Sequence, residues 1–239
     1  MRNILITICA RGGSKGIPGK NIKNLNGRPV IDYSIKHAII FSERFKNVDI
    51  ALSTDSEEIK KVSELCGLRS DYTRPEFLAN DSVGKIDVLD HILKYEENRS
   101  KKNYDYIIDL DVSSPMRTIE DLEKAFQLIT KNKEALNVFS VSKPHKNPYF
   151  NVVELKEDGF CKLVKESDSK SRQSAPLVYD MNASFYIYKK AFFDQNLKSA
   201  VTSKSLSFLM DHTCFDIDEP LDFEMMNFLF SHNKLDFEI

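Results

Sequence analysis

Residues 4–21 read ILITICARGGSKGIPGKN, and the parsing of this stretch decides the architecture. Its first half is a near-continuous apolar run bounded by turn residues, the pattern of a strand buried in a sheet. Its second half is a loop with glycines at 12, 13, 16 and 19, among which stand Arg11, Lys15 and Lys20. Glycine lets backbone N–H groups approach a ligand closely, and the cations supply charge for an anion. The loop is therefore expected to cradle phosphates, with a nucleoside triphosphate as the candidate ligand.

Two familiar phosphate loops do not fit. The P-loop requires G-x-x-x-x-G-K-[ST]. Aligned on Gly19-Lys20, this chain has Ser14 at the first glycine and Asn21 where the hydroxyl belongs, with Pro18 inside the loop. The dinucleotide fingerprint G-x-G-x-x-G fails too, because the spacing here is Gly13, Gly16, Gly19.

Working outward, Pro29 is expected to open a helix at its first position, with Ile31, Ile35, Ala38 and Ile39 as its apolar stripe. Residues 48–53 read as a short strand. Asp55 or Ser56 caps the next helix and Gly67 ends it. Strand–helix–strand–helix alternation predicts a parallel sheet with helices on its faces. In such sheets ligands sit beyond the carboxyl ends of the strands, where the basic loop lies. Asn80, Asp81 and Ser82 are expected caps for a third helix with Ile86, Leu89 and Leu93 on one face.

Residues 104–110 form the next expected strand, and alternation puts Asp109 and Asp111 on one side of it. A helix with Leu122, Ala125, Phe126 and Ile129 follows, then a strand at 137–142. Segments 149–155 and 160–164, around Lys156-Glu157-Asp158-Gly159, read as a β-hairpin. A polar stretch precedes a return strand, YDMNASFYIY. Near the carboxyl terminus FDIDEPLDF places Asp216 and Asp218 on the same side of Ile217. Two such oxygen donors facing a polyphosphate suit Mg²⁺; alone, the same pattern also reads as a helix-start turn. Leu221, Met225, Phe228 and Leu229 mark the expected core face of a last helix.

The composition narrows the function. A chain of 239 residues suffices for one α/β domain. A formal net charge of −2 offers no basic excess for nucleic acid. The four cysteines include no C-x-x-C pair and read as reduced cytosolic thiols, and the five histidines lack zinc-ligand spacing. The N-terminus does not read as a signal peptide, and no apolar run approaches the ~20 residues needed to span a membrane. The expectation is a cytoplasmic protein that binds neither nucleic acid nor membrane.

The string ARGGSKGIPGKN resembles the signature A-R-x-x-S-K-G-x-x-x-K-N of the CMP-sialic acid synthetases, the acylneuraminate cytidylyltransferases. TRPEFLAND resembles the family's R-P-x-x-L-A-x-D, and DLDVSSPMR its L-Q-P-T-S-P-L-R, with Asp111 replacing the glutamine. Asn182 matches the asparagine of R-P-N-G, while Asp180 stands where arginine is common. NPYFN, RQSAP and YDMNASFYIY are similar to the branch that handles legionaminic acid. The resemblance runs from residue 4 to about residue 230. It implies a single Rossmann-like domain over 1–239, of the nucleotide-diphospho-sugar transferase type. Residues 143–178 would form a β-hairpin insertion for homodimerisation.

The implied reaction joins CTP to the anomeric hydroxyl of a nine-carbon acidic sugar, a nonulosonate, with release of pyrophosphate. By the resemblance Arg11 and Lys15 hold the β- and γ-phosphates, Lys20 stabilises charge at the α-phosphate, and Gly12, Gly13 and Asn21 help fix the nucleotide. Arg74 and Ser82 approach base and ribose. Arg172, with Gln173 beside it, takes the sugar carboxylate, with Lys143 and Lys146 as weaker candidates; the planar guanidinium suits a carboxylate. Asn182 belongs to the sugar side. Asp111 is a candidate for metal or for a sugar hydroxyl, and Asp216 and Asp218 bind Mg²⁺ or Mn²⁺. Lys85 replaces the family's usual small hydroxyl residue and either reaches a phosphate or sugar or faces water. Two alternatives are a sugar-1-phosphate nucleotidyltransferase and a nucleotide-binding regulator without catalysis.

Overall fold

A computed structural model describes residues 2–14, 16–80, 82–169 and 171–239, with the side chain of Arg172 outside the description. Strand β1 (Ile4–Cys9) leads through the basic loop and a small ribbon, β2 (Asn24–Leu25) and β3 (Arg28–Pro29), into helix α1 (Val30–Arg44). Asn26 and Gly27 close the ribbon with positive φ angles of 49° and 83°, the backbone of a tight two-residue hairpin turn. Pro29 is the N-cap of α1 rather than its first helical residue. Then come β4 (Val48–Ser53), α2 (Glu57–Leu65), α3 (Lys85–Ser100), β5 (Tyr106–Asp111), α4 (Ile119–Lys131) and β6 (Asn137–Ser142). A hairpin, β7 (Val153–Leu155) and β8 (Cys161–Leu163), precedes β9 (Asp180–Lys189), α5 (Lys190–Asp194), β10 (Ser205–Leu209) and α6 (Pro220–Ser231).

The central sheet has the order β10-β6-β9-β5-β1-β4. Strand β1 pairs in parallel with β4 on one side and β5 on the other. The chain thus turns first one way and then the other from β1, which makes the loop after β1 a topological switch point. Among the described residues only β9 runs against its neighbours, so the sheet is mainly parallel.

Side-chain alternation along β1 feeds two cores. Ile4, Ile6 and Ile8 join the apolar faces of α1, α4 and α6. Leu5 joins Ile86, Leu89, Ile92 and Leu93 of α3 and Phe192 and Phe193 of α5. Helices therefore cover both faces. Thr7 lies on the Leu5 side and donates to Asp109 Oδ1 at 3.0 Å, which satisfies the buried hydroxyl and one of the two carboxylate oxygens.

Several local expectations are corrected. Helix α3 begins at Lys85 behind Gly84 and has no side-chain cap. Asn80 instead accepts the N–H and hydroxyl of Ser82 in a separate turn; Asp81 lies outside the described residues. The hairpin strands are three residues each and fully paired only over Val153–Leu155 and Cys161–Leu163. In α6 the buried face is Phe223, Met226 and Phe230; Leu221, Met225 and Phe228 are exposed and Leu229 is half-buried. Strand β10, which no sequence signal had marked, forms the sheet edge beside β6.

Candidate active site

The carboxyl ends of β1 and β5, the basic loop and the turn before α3 surround a cleft of about 430 Å³. Arg11, Lys20, Asn21, Arg74, Asp111 and Asp218 all line it. These side chains come from points scattered over most of the chain, and each is placed by a local device.

Lys20 opens a short 3-10 turn behind Gly19, whose φ of 66° is left-handed. Its side chain is 16% exposed; the ammonium donates to the carbonyl of Ile217 and stands 3.6 Å from Asp218 Oδ1. The amino-terminal loop and the carboxyl-terminal acidic segment therefore share one cleft wall. Gly16 permits the contact: a Cβ there would lie 2.3 Å from the backbone oxygen of Asp218. Asn21 is buried and donates its amide to the carbonyl of Arg11 at 2.9 Å, so it fixes the course of the loop. Gly12 N–H donates to Asp55 Oδ1 at 2.9 Å. Neither Gly12 nor Gly13 lines the cleft, and Lys15 lies outside the described residues.

The segment 216–218 is hung from both sides. Ile217 is fully buried and its N–H donates to Ser113 O at 2.8 Å. Asp222, in the first turn of α6, accepts the N–H groups of Asp218 and Glu219 at 3.0 and 2.7 Å. Asp218 faces the first cleft. Asp216 lines an adjoining one of about 510 Å³, together with Lys143, Asn182 and His212. The two carboxylates are neighbours across this divide. Burial and then the negative charges of Asp218 and Asp111 push the Asp216 carboxyl up from its ordinary value. Crowded carboxylates of this kind gain from a bound cation.

Among the described residues no group of three or more His, Cys, Asp or Glu side chains is arranged for a metal. The donor set is thus a carboxylate pair beside a phosphate-sized cleft. That fits a hard divalent ion which takes its other ligands from phosphate oxygens and water.

The wall opposite belongs to β5. Asp111 accepts from Ser113 N and Oγ at 2.9 and 2.8 Å and from Lys85 Nζ at 2.5 Å. Burial opposes its charge, but Lys85 and Ser113 outweigh it and hold the carboxyl down at about 2. The loop behind is braced by Arg117, which is completely buried. Its guanidinium donates to Ser184 Oγ at 2.9 Å, Ser34 Oγ at 3.1 Å, Ser114 O at 2.6 Å and the carbonyl of Asp111. Burial lowers its pKa to about 10, which still leaves it charged at neutral pH. At the end of β1, burial pushes the Cys9 thiol up to about 12, which favours the protonated form.

The sequence matches the cytidylyltransferase family over residues 5–234. This chain belongs to that family. Two relatives cover 98% of the chain and 98% of their own length. One, at 42% identity, is the post-translational flagellin modification protein B of Campylobacter coli. The other, at 41%, is the CMP-N,N'-diacetyllegionaminic acid synthase of Campylobacter jejuni subsp. jejuni serotype O:2. A solved CMP:2-keto-3-deoxy-manno-octonic acid synthetase complexed with CTP shares the fold, with a TM-score of 0.69 at 17% identity over 97% of this chain and 99% of that one.

In this cytidylyltransferase some expected contacts are displaced. Arg74 is 6% exposed and gives Nε and Nη2 to Ser53, at 3.0 Å to Oγ and 2.8 Å to the carbonyl, so it anchors the end of β4 while lining the cleft. Ser82 is exposed and turned to Asn80; Asn80 and Val83 line the cleft in its place. Gln173 lines a separate groove with Lys143 and Asn147. Asn182 is buried, donating to Ser142 Oγ at 2.8 Å and accepting from Ser184 N at 3.2 Å, and reaches the Asp216 cleft rather than the Lys20 cleft. Sequence reasoning had Lys85 reaching a phosphate or sugar or facing water; its ammonium instead pairs with Asp109 and Asp111, which were visible as an alternating pair. The brace formed by Arg117 had no signal beyond a basic residue after Ser-Ser-Pro.

Proposed function

We propose that this cytidylyltransferase transfers CMP from CTP to the anomeric hydroxyl of a nine-carbon acidic sugar of the legionaminic acid type. The hydroxyl oxygen attacks the α-phosphorus, the bond to the β-phosphate oxygen breaks, pyrophosphate leaves, and the hydroxyl proton passes to solvent. Such a transfer needs alignment and charge neutralisation more than covalent help. The observation that carries the reading is the meeting of Lys20 with Asp218 at 3.6 Å.

On this reading Arg11, Lys15 and the backbone of Gly12 and Gly13 hold the outer phosphates, and Lys20 steadies the α-phosphate as charge develops there. Arg74 contributes from the nucleotide side. Ser82 acts through the turn it shares with Asn80. Asp216 and Asp218 would hold Mg²⁺ or Mn²⁺; when bound, such an ion offsets phosphate charge and favours departure of pyrophosphate. The sugar would occupy the adjoining cleft, within reach of Asn182 and Lys143, with Asp111 at the boundary. The carboxylate would be met by Arg172 and Gln173; the groove that Gln173 lines shares Lys143 with this cleft.

A homodimer fits the insertion. Among the described residues hairpin β7–β8 pairs only with itself, and Leu155 and Phe160 on it are 73% and 70% exposed. A lone two-stranded ribbon with apolar side chains in water is marginal and gains from a partner. A cytoplasmic location is part of this reading, supported by CTP as co-substrate; no described helix is long and apolar enough to cross a membrane.

The test is pyrophosphate release from CTP with legionaminic, sialic and pseudaminic acids in turn. Lys20→Ala should lower kcat by roughly 10²–10³-fold, the usual cost of one charge-stabilising donor, with an unchanged melting temperature. Near-normal turnover in that variant would refute the assignment.

A further inference from the structure

Lys85 occupies the first position of α3 and reaches the tip of β5. Its ammonium lies 2.8 Å from Asp109 Oδ2 and 2.5 Å from Asp111 Oδ2. Asp109 is completely buried, and its Oδ2 accepts no hydrogen bond of good geometry. The lysine is the counter-charge that allows a carboxylate there. The ring of Tyr186 stands 5.9 Å from the ammonium.

Asp111 is in a different position. Its Oδ1 accepts two hydrogen bonds from Ser113 and its Oδ2 accepts one from Lys85. A carboxylate offers about four lone-pair sites, so one remains, on Oδ2. The side chain is 20% exposed, into the cleft. Two ligands compete for that site, a divalent cation and a hydroxyl donor. A cation bonded there at about 2.1 Å would stand only about 4 Å from the ammonium, and the two would repel. A hydroxyl needs one lone pair and meets no such opposition.

We propose that Lys85 is a positioning residue that reserves Asp111 for a substrate hydroxyl and withholds it from the divalent cation, leaving the cation to Asp216 and Asp218. The proposal rests on the reading of that carboxylate pair as the cation's ligands.

The experiment is titration of Mn²⁺ into the full chain with CTP present and sugar omitted, followed by the resonance of free Mn²⁺, with steady-state kinetics alongside. Asp111→Asn should keep Mn²⁺ affinity within about twofold of wild type, yet raise a KM by roughly tenfold or more, the worth of one hydrogen bond to a charged group. A rise in the KM for sugar identifies a sugar hydroxyl, and a rise in that for CTP identifies the ribose. Lys85→Met should bind Mn²⁺ about tenfold more tightly or gain a second site. The added Asp111→Asn should abolish that gain, and Lys85→Arg should restore wild-type affinity. Should Lys85→Met fail to fold around an unpaired Asp109, Lys85→Met with Asp109→Asn carries the same comparison. Weakening of Mn²⁺ by Asp111→Asn, or no gain from removing Lys85, would overturn the proposal. A wild type no tighter for Mn²⁺ than Asp216→Asn would instead sink the assignment of the carboxylate pair, a separate result.

Discussion

Replacing Gly16 by alanine tests the geometry of the site through backbone alone. The added methyl would lie 2.3 Å from the Asp218 carbonyl oxygen, where ordinary contact begins at 3.4 Å. The two segments must therefore part by about 1 Å, since neither atom is the tip of a flexible side chain. Lys20 and Asp218, now 3.6 Å apart, would move beyond ion-pair range, and the carbonyl of Ile217 would leave the ammonium. A displacement of about 1 Å in a positioned catalytic group costs on the order of 10²-fold in rate, or about 2.7 kcal/mol of transition-state stabilisation. Because residue 16 is exposed, the fold should lose no more than about 1–2 kcal/mol, a shift of a few degrees in Tm. Pyrophosphate release at saturating CTP and sugar measures the first quantity and differential scanning fluorimetry the second. Gly13→Ala is the comparison: its Cβ would meet nothing within 4 Å, so it should leave Tm unchanged and any loss would be that of a methyl against ligand. A Gly16→Ala enzyme with kcat within twofold of wild type would show that loop and acidic segment do not approach as described.

Three further outcomes follow from the frame around the site. Arg117→Met strips hydrogen bonds from two carbonyls and two hydroxyls in the interior and should cost roughly 3–5 kcal/mol, seen as a shifted urea midpoint. Ala183 is held at φ 58°, so Ala183→Gly should raise stability by about 0.5–1 kcal/mol; a loss of stability would contradict the left-handed assignment. His212 donates toward Asp121 at 2.8 Å; burial works against its charge, but Asp121, the Thr213 carbonyl and Asp236 raise its pKa above 6.5 overall. Its contribution is thus complete below pH 6.5 and fades as pH climbs through the folded value, and His212→Asn should flatten that slope in denaturation curves.

The fold was largely legible because β1 carries a near-continuous apolar run, and α4 a stripe whose expected residues, Leu122, Ala125, Phe126 and Ile129, are all buried. Helix α6 defeated the same logic. Its sequence PLDFEMMNFLFS is apolar nearly all round, so periodicity cannot choose between the 221/225/228 face and the 223/226/230 face that packing selected. Strand β10, SLSFL, is a half-buried edge with only five residues, too short for alternation to stand out. In the site, the sequence marked charged residues that come to line the clefts but not what each one grips. Arg74 spends its donors on the hydroxyl and carbonyl of Ser53, Asn21 its amide on the carbonyl of Arg11, and Asp216 and Asp218 open into different clefts. Such choices depend on where distant carbonyls come to rest, which no local pattern encodes.

The bond from Lys20 to Ile217 spans 197 positions. On a ribosome adding about 5–20 residues per second, the cationic half of the cleft emerges some 10–40 seconds before its acidic counterpart. The wall that Lys20 shares with the acidic segment therefore cannot close until residue 217 has left the ribosome, so this contact is among the late ones that a nascent chain makes.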